Sequence, residues 1–150
     1  MAHTLAVVVT VASTLLGSAV LGQGGARGGG GGWGTGGPYQ RLYDPTTVQT
    51  VKGEIEKVER ITPMHGMSAG VHLILKTEKE SISVHLGPEW FISNQEANLE
   101  PKERIEVKGS RVTINGRPAL VAAQVVKGDQ VLKLRDDDGV PMWCGWHRRQ

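Results

Sequence analysis

The stretch Gly70-Val-His-Leu-Ile-Leu-Lys-Thr-Glu-Lys-Glu-Ser-Ile-Ser-Val-His-Leu86 decides the fold of this chain. Apolar and other residues alternate along its two arms, a pattern typical of β-strands with one face on a core. The apolar residues are Val71, Leu73, Leu75, Ile82, Val84 and Leu86. If residues 78–79 form the loop, Leu73 lies opposite Val84 and all the apolar residues share one face. A slip of one residue would divide them between two faces, so the sequence predicts a β-hairpin in this register.

The same register places His72 directly opposite His85 on the other face of the hairpin. Opposed residues of an antiparallel pair have Cβ atoms about 4.5–5.5 Å apart, close enough for two imidazoles to share a metal ion. The preceding loop adds Met64, His65 and Met67, and thioether with imidazole is a ligand set that copper prefers, especially as Cu(I). One interpretation is therefore a copper site made by these residues. The other, which is favoured, is that the two histidines lie on an exposed sheet face and the methionines fill a gap under the loop.

The segments around the hairpin predict a small all-β domain. Residues 48–61 have the pattern of a long strand that bends at Gly53 or near Lys57, and residues 103–114, 119–126 and 130–135 have the pattern of further strands. Residues 89–98 follow a proline and predict the one helix. Three strands, a helix and two more strands are the order of the OB-fold, a small Greek-key barrel. We therefore predict an OB-fold-like β-barrel of five or six strands with one short helix after the third strand.

Composition divides the chain into four parts. Residues 1–22 carry an apolar run with small residues at its end, which predicts a signal peptide cleaved near Gln23; an uncleaved membrane anchor is the alternative. Residues 23–43 are rich in glycine and predict a disordered linker. Residues 44–136 form the predicted domain, and residues 137–150 a tail that packs on the barrel. The predicted location is the periplasm or outside the cell.

The charge balance argues against a nucleic-acid-binding surface. The chain has a formal net charge of +2, but Arg27 and Arg41 lie in or beside the linker, and the rest contains fifteen basic and fifteen acidic residues. A nucleic-acid-binding domain is expected to carry a basic patch or stripe. An oligonucleotide-binding OB domain therefore stays only as an alternative.

Several segments of the chain resemble a known group of proteins. They are Thr47-Val-Gln-Thr-Val-Lys-Gly53, Gly66-Met-Ser-Ala-Gly-Val-His-Leu73, Val84-His-Leu-Gly-Pro-Glu-Trp-Phe91, Val107-Lys-Gly-Ser-Arg-Val-Thr113 and Leu134-Arg-Asp-Asp-Asp-Gly-Val-Pro-Met-Trp143. These segments resemble small exported bacterial OB-fold-like proteins, some labelled DNA-binding from the fold, and magnetosome proteins of the MamS/MamX type. The resemblance covers about residues 44 to 146 and implies the fold but no activity. The chain lacks a complete Cys-x-x-Cys-His motif, so haem attachment is not implied.

The C-terminal tail carries a second pair of metal-ligating residues. Cys144 and His147 have a Cys-x-x-His spacing that can chelate zinc or copper, but two ligands do not close a site. Cys144 is the one cysteine of the chain, so it is either a free thiol or available for an intermolecular disulfide. No catalytic arrangement stands out, because the serines lack a nucleophile-elbow context and no phosphate-binding glycine motif joins a strand to a helix.

These patterns together predict a non-enzymatic periplasmic binding module whose ligand is unassigned. The alternatives are a copper-binding or copper-handling protein that uses the His/Met cluster, and an oligonucleotide-binding domain. A periplasmic or membrane-associated protein is the expected kind of partner, and nucleic acid is not expected to be one. If the signal peptide is cleaved, no stable membrane span is expected.

Overall fold

A computed structural model describes residues 30–144 of the chain. The strands are β1 (Val48–Ile61), β2 (Gly70–Lys76), β3 (Ser81–Pro88), β4 (Arg104–Ile114), β5 (Arg117–Lys127) and β6 (Gln130–Lys133). The helix α1 (Glu89–Ile92) follows β3, and 3-10 turns lie at Gly30–Gly32, Gln40–Leu42 and Pro45–Thr47. An all-β, OB-fold-like domain with one short helix after the third strand is therefore confirmed.

The strands form one sheet that closes into a ring. Their order is β3-β2-β1-β4-β5-β6, and an additional pairing of β3 with β5 closes the ring. All pairings between these strands are antiparallel except that of β3 with β5, which is parallel. β1 bonds to β4 over its first half and to β2 over its second, and its register with β2 shifts between Ile55 and Lys57. The predicted bend near Lys57 therefore coincides with an irregularity that lets one strand serve both sides of the ring.

Two glycines allow close approach between neighbouring strands. A Cβ at Gly53 would collide with the backbone of Lys76, and a Cβ at Gly109 would collide with the backbone of Val121. Gly109 also lies where the register of β4 against β5 shifts. Both positions therefore need glycine because a side chain would separate strands of the ring.

The hairpin has the predicted register. Leu73 is the partner of Val84, and His72 is the partner of His85. The loop is closed by the Thr77 amide, which donates to the Glu80 carbonyl at 2.8 Å. The side chains that point into the ring are fully buried and include Ile55, Leu73, Leu75, Val84, Val107 and Leu120. Alternate residues of a strand point into this interior, so the period-2 pattern of apolar residues predicts which side chains are buried there.

The helix is shorter than predicted. It ends at Ile92 rather than Asn98, and the following amides bond three residues back: Asn94 to the Phe91 carbonyl and Gln95 to the Ile92 carbonyl. The Asn94 side chain also donates to the Trp90 carbonyl at 2.7 Å. Asparagine side chains compete in this way for backbone groups and favour turns over helix.

The described part of the glycine-rich segment packs on the domain, whereas a disordered linker was predicted for residues 23–43. Within the described part, Trp33 and Tyr39 are only 1% and 2% exposed and belong to the core. The predicted signal peptide, residues 1–22, lies outside the described residues, as do residues 145–150. Among residues 30–144, none of the helices has the length and apolar character needed to cross a membrane.

Candidate functional site

Three side chains with ligating groups form a row across the outer face of the ring. Glu59 on β1 is the register partner of His72 on β2, and His72 is the partner of His85 on β3. Register partners in antiparallel strands share a face. The two imidazole rings stack with centroids 3.6 Å apart and an angle of 26° between their planes. The predicted opposition of the histidines is therefore confirmed, and Glu59 is a member of the row that the sequence interpretation missed.

The histidines are not exposed, so the interpretation of an open sheet face is wrong. His72 is 1% exposed and His85 is 4% exposed. The cover over His85 is Tyr39, whose ring stacks on the imidazole at a centroid distance of 6.0 Å. The Tyr39 hydroxyl lies 3.2 Å from His85 Nδ1. A segment far away in the sequence therefore covers the outer face of β3.

Tyr39 belongs to a cap that we define as Trp33, Tyr39, Arg135 and Trp143. The ring of Trp33 meets that of Tyr39 edge-on at 5.0 Å and that of Trp143 at 6.1 Å. The Trp143 indole N–H donates to the Trp33 carbonyl at 2.9 Å. Trp143 also packs on Gly87, where a Cβ would collide with the indole ring. The segments before and after the strands are thus joined to each other over β3.

Arg135 is the buried cation of this cap. It is 2% exposed, and its guanidinium lies over the rings of Tyr43 and Trp143 at 5.6 and 4.9 Å. Its Nη1 donates to the Gln40 side-chain oxygen at 2.5 Å and to the Gly139 carbonyl at 3.2 Å. No carboxylate of the described residues forms an ion pair with it. Aromatic faces and neutral acceptors therefore take the place of an acid as the partners of this cation.

Both histidines are held in the neutral form at neutral pH. Burial lowers the pKa of His72 from 6.5 to about 4, and the nearby Glu59 carboxylate opposes this shift. Burial also lowers the pKa of His85 to about 3, with further contributions from His72 and Arg135. Burial raises the pKa of the Tyr39 phenol, so this group keeps its proton. The row therefore presents neutral imidazoles, whose free ring nitrogens can accept hydrogen bonds or bind metal ions.

The two histidines differ in their hydrogen bonding. Nδ1 of His85 lies 3.2 Å from the Tyr39 hydroxyl and so has a hydrogen-bond partner. In contrast, neither ring nitrogen of His72 has a partner among the described residues, although both are buried. A buried polar group without a partner costs about 1–3 kcal/mol, so a ligand that hydrogen-bonds to His72 would remove this cost.

His72 lines a groove of about 420 Å³ on the outer face. Its walls come from β1, β2, β3, the start of the β1–β2 loop, the end of β4, the β4–β5 turn and the start of β5. The lining residues are Glu59, Ile61, Thr62, Pro63, His72, Ile74, Ser83, His85, Ile114, Asn115, Arg117, Pro118 and Ala119. OB-folds bind oligonucleotides and oligosaccharides on this part of the barrel, between the loop after the first strand and the loop after the fourth. The groove therefore coincides with the usual ligand face of the fold.

The other predicted ligands lie elsewhere. Met64 and Met67 are partly buried against the core, and His65 is exposed. Their loop is fixed to the cap segment, since the Ser68 amide donates to the Gly31 carbonyl at 2.8 Å and the Trp33 indole donates to the Ser68 carbonyl at 3.2 Å. None of the three residues lines the groove. Within residues 30–144, no three His, Cys, Asp or Glu side chains are assembled around a common point that could hold a metal, so the copper site stays a prediction.

The Cys144–His147 pair lies partly outside the described residues, which end at Cys144. Cys144 is half-buried and forms no disulfide. Burial raises the pKa of its thiol, an effect that Arg135 opposes. The neutral thiol is a poor nucleophile and a poor metal ligand.

These observations define a class of protein: a small OB-fold-like β domain with a capped outer face and a groove beside a buried histidine. A family model for the MamS/MamX magnetosome protein family matches residues 47–132, more than half of the chain, and the chain belongs to this family. It is not a known enzyme family. A search of curated proteins found no match to the chain. The matched region contains the whole row of Glu59, His72 and His85 but not the cap.

Proposed function

We propose that this magnetosome-family protein is a non-enzymatic binding module of the periplasm and that it binds its ligand in the groove beside His72. The observation that carries the proposal is the pair of buried, unpartnered ring nitrogens of His72 at the wall of that groove. A ligand with a suitable donor or acceptor gains a hydrogen bond there and removes the cost of the unpartnered nitrogens. Pockets with apolar walls and a few convergent polar groups are the usual form of a small-ligand site.

The groove has walls of this composition. Isoleucines 61, 74 and 114 and two prolines supply apolar surface, while Ser83, Asn115, Glu59 and Arg117 supply polar groups of both charges. The charges of Glu59 and Arg117 balance, which argues against a strongly charged polymer as the ligand. The near-neutral domain argues in the same direction against an oligonucleotide.

The test is amide chemical-shift mapping by NMR on the isotope-labelled chain with three separate probes: zinc chloride, a neutral hexasaccharide and a twelve-nucleotide single-stranded dT. We expect at least one probe to shift the amides of Ser83, Asn115 and Ala119 in a saturable way, and His72→Gln to remove that response. As a matched control, His65→Gln changes an exposed histidine of the adjoining loop and should leave the response intact. If no probe shifts the groove amides, or if the shifts fall only elsewhere on the ring, the proposed site is wrong.

A further inference from the structure

We infer that the groove holds a divalent transition-metal ion, bound by His72 and Glu59 with the remaining positions left to water or to a second ligand. This inference rests on the proposed function and names the class of its ligand. The two residues are register partners on adjacent strands and share the outer face. Both line the same groove. An imidazole and a carboxylate on neighbouring strands can therefore converge on one ion from a rigid support.

His72 has the properties of a metal ligand. Its ring nitrogens are buried and have no partner among the described residues, so the ring can turn a lone pair toward the groove without breaking a hydrogen bond. Nitrogen from imidazole suits zinc, copper, iron and nickel, and a carboxylate oxygen beside it is compatible with each of these.

Glu59 can turn to the ion at small cost. Its side chain is 32% exposed, and its partner is Lys57, whose ammonium lies 3.0 Å away and is itself 67% exposed. Exposed ion pairs of this kind contribute little to stability. The Glu59 and His72 side chains line the same groove from neighbouring strands. A cation between the two would be attracted by the carboxylate and held by the imidazole.

His85 is a positioning residue in this site rather than a ligand. Its ring is stacked on His72 at 3.6 Å, and imidazole lone pairs lie in the ring plane, so two stacked rings do not aim at a common ion. Its Nδ1 is occupied by the Tyr39 hydroxyl. The stacked ring instead fixes the orientation of His72. The site therefore has one coordinated imidazole, which separates it from a two-histidine site.

Substitution of Arg117 distinguishes a cationic ligand from an anionic one. It is the first residue of β5, lines the groove and is exposed, so its replacement does not disturb the core. A bound cation is repelled by this guanidinium, and Arg117→Gln should tighten metal binding by about threefold at low ionic strength. An anionic ligand would lose affinity on the same substitution. The direction of the change in affinity is thus a test that does not require the loss of a metal-ligating side chain.

The experiment is a calorimetric titration of the full chain with zinc chloride at neutral pH. All proteins carry Cys144→Ser so that the Cys-x-x-His pair of the tail does not compete. We expect one site, weakened about tenfold or more by His72→Gln and by Glu59→Gln. His65→Gln and Glu78→Gln, at an exposed loop histidine and an exposed hairpin-loop carboxylate, are the matched controls and should bind as the parent does. Far-UV circular dichroism establishes that each variant is folded; if His72→Gln is not, Glu59→Gln and Arg117→Gln decide the question.

Electron paramagnetic resonance with Cu²⁺ counts the ligands directly. One coordinated imidazole nitrogen, lost in His72→Gln, supports the inference; two coordinated imidazoles overturn it. Absence of zinc binding, equal binding by Glu59→Gln and its parent, or weaker binding by Arg117→Gln would each overturn it as well. If the hexasaccharide or the dT probe shifts the groove amides while zinc does not, the metal inference fails and the binding module stands. If none of the three probes shifts the groove amides, both the metal inference and the proposed binding site are wrong.

Discussion

The buried histidine pair should make the stability of the protein fall steeply as the pH is lowered below 6.5. In the unfolded chain His72 takes up a proton near its ordinary pKa of 6.5, whereas in the folded chain burial lowers that pKa to about 4. Between these two values the unfolded state binds more protons than the folded state, so stability is complete above pH 6.5 and is lost as the pH falls toward 4. The difference between the two pKa values corresponds to about 3 kcal/mol for His72.

Unfolding also lets His85 take up a proton in the same pH range, because burial lowers the pKa of His85 to about 3 in the folded chain. In the middle of the range the free energy of unfolding should therefore change by about 2.7 kcal/mol per pH unit from the two histidines together. His72→Gln removes one of the two protons and should reduce the slope by about 1.4 kcal/mol per pH unit. The free energy of unfolding of His72→Gln should therefore fall less between pH 7 and pH 5 than that of the wild-type protein.

The assay is urea unfolding followed by tryptophan fluorescence, at half-unit steps from pH 7.5 to 4.5, with a chelator present so that metal binding does not contribute. Trp33 and Trp143 are buried in the cap and report on its loss. His65→Gln is the matched control, since this histidine lies exposed on a loop. Equal slopes for the wild-type protein and His72→Gln between pH 6.5 and 4.5 would refute the reasoning, because the histidine would then titrate alike in both states.

Three further predictions test the fold and its processing. Leu73→Ala should cost about 2–5 kcal/mol because the residue is fully buried in the ring, while Ser81→Ala on the outer face should cost little; equal, small effects in urea melts would contradict the register. Trp143→Ala should lower the free energy of unfolding by about 3–5 kcal/mol and red-shift the fluorescence of the remaining cap. The neighbouring Met142→Ala, at a 44% exposed position, should do neither. Equal stability and equal fluorescence of the two variants would show that the cap is marginal to stability. Mass spectrometry of the exported protein should find a chain that begins near Gln23, and an intact N-terminus in the membrane fraction would mean an anchor instead.

The hairpin and the ring could be predicted because their signals are local. Alternation with period 2 shows which face of a strand is buried, and a two-residue loop between two such runs leaves a single register that keeps Leu73 and Val84 on one face. The opposition of His72 and His85 follows from that register alone. The extent of α1 was less predictable, because the competition of the Asn94 side chain for the Trp90 carbonyl depends on a detail of the turn.

The burial of the histidines could not be predicted because it depends on contacts between distant residues. Tyr39 and His85 are 46 positions apart, and Trp33 and Trp143 are 110 apart. The glycine content of residues 23–43 hid this, since it describes the segment as a whole and not its three aromatic side chains, Trp33, Tyr39 and Tyr43. Disordered linkers contain few aromatic residues. Trp33 and Tyr39 were therefore the signal in the sequence that this segment packs on something.

The cap also explains why the two histidines of one pair have different roles. The cap residues Trp33, Tyr39, Arg135 and Trp143 all lie outside residues 47–132, the part that matches the family model. The family domain thus supplies the row of ligating side chains, and the flanking segments cover one end of it. They pack on His85 and occupy its Nδ1, while Glu59, His72 and His85 all line the groove. The two imidazoles therefore differ in hydrogen bonding rather than in their distance from the groove: Nδ1 of His85 has the Tyr39 hydroxyl beside it, whereas the ring nitrogens of His72 have no partner among the described residues.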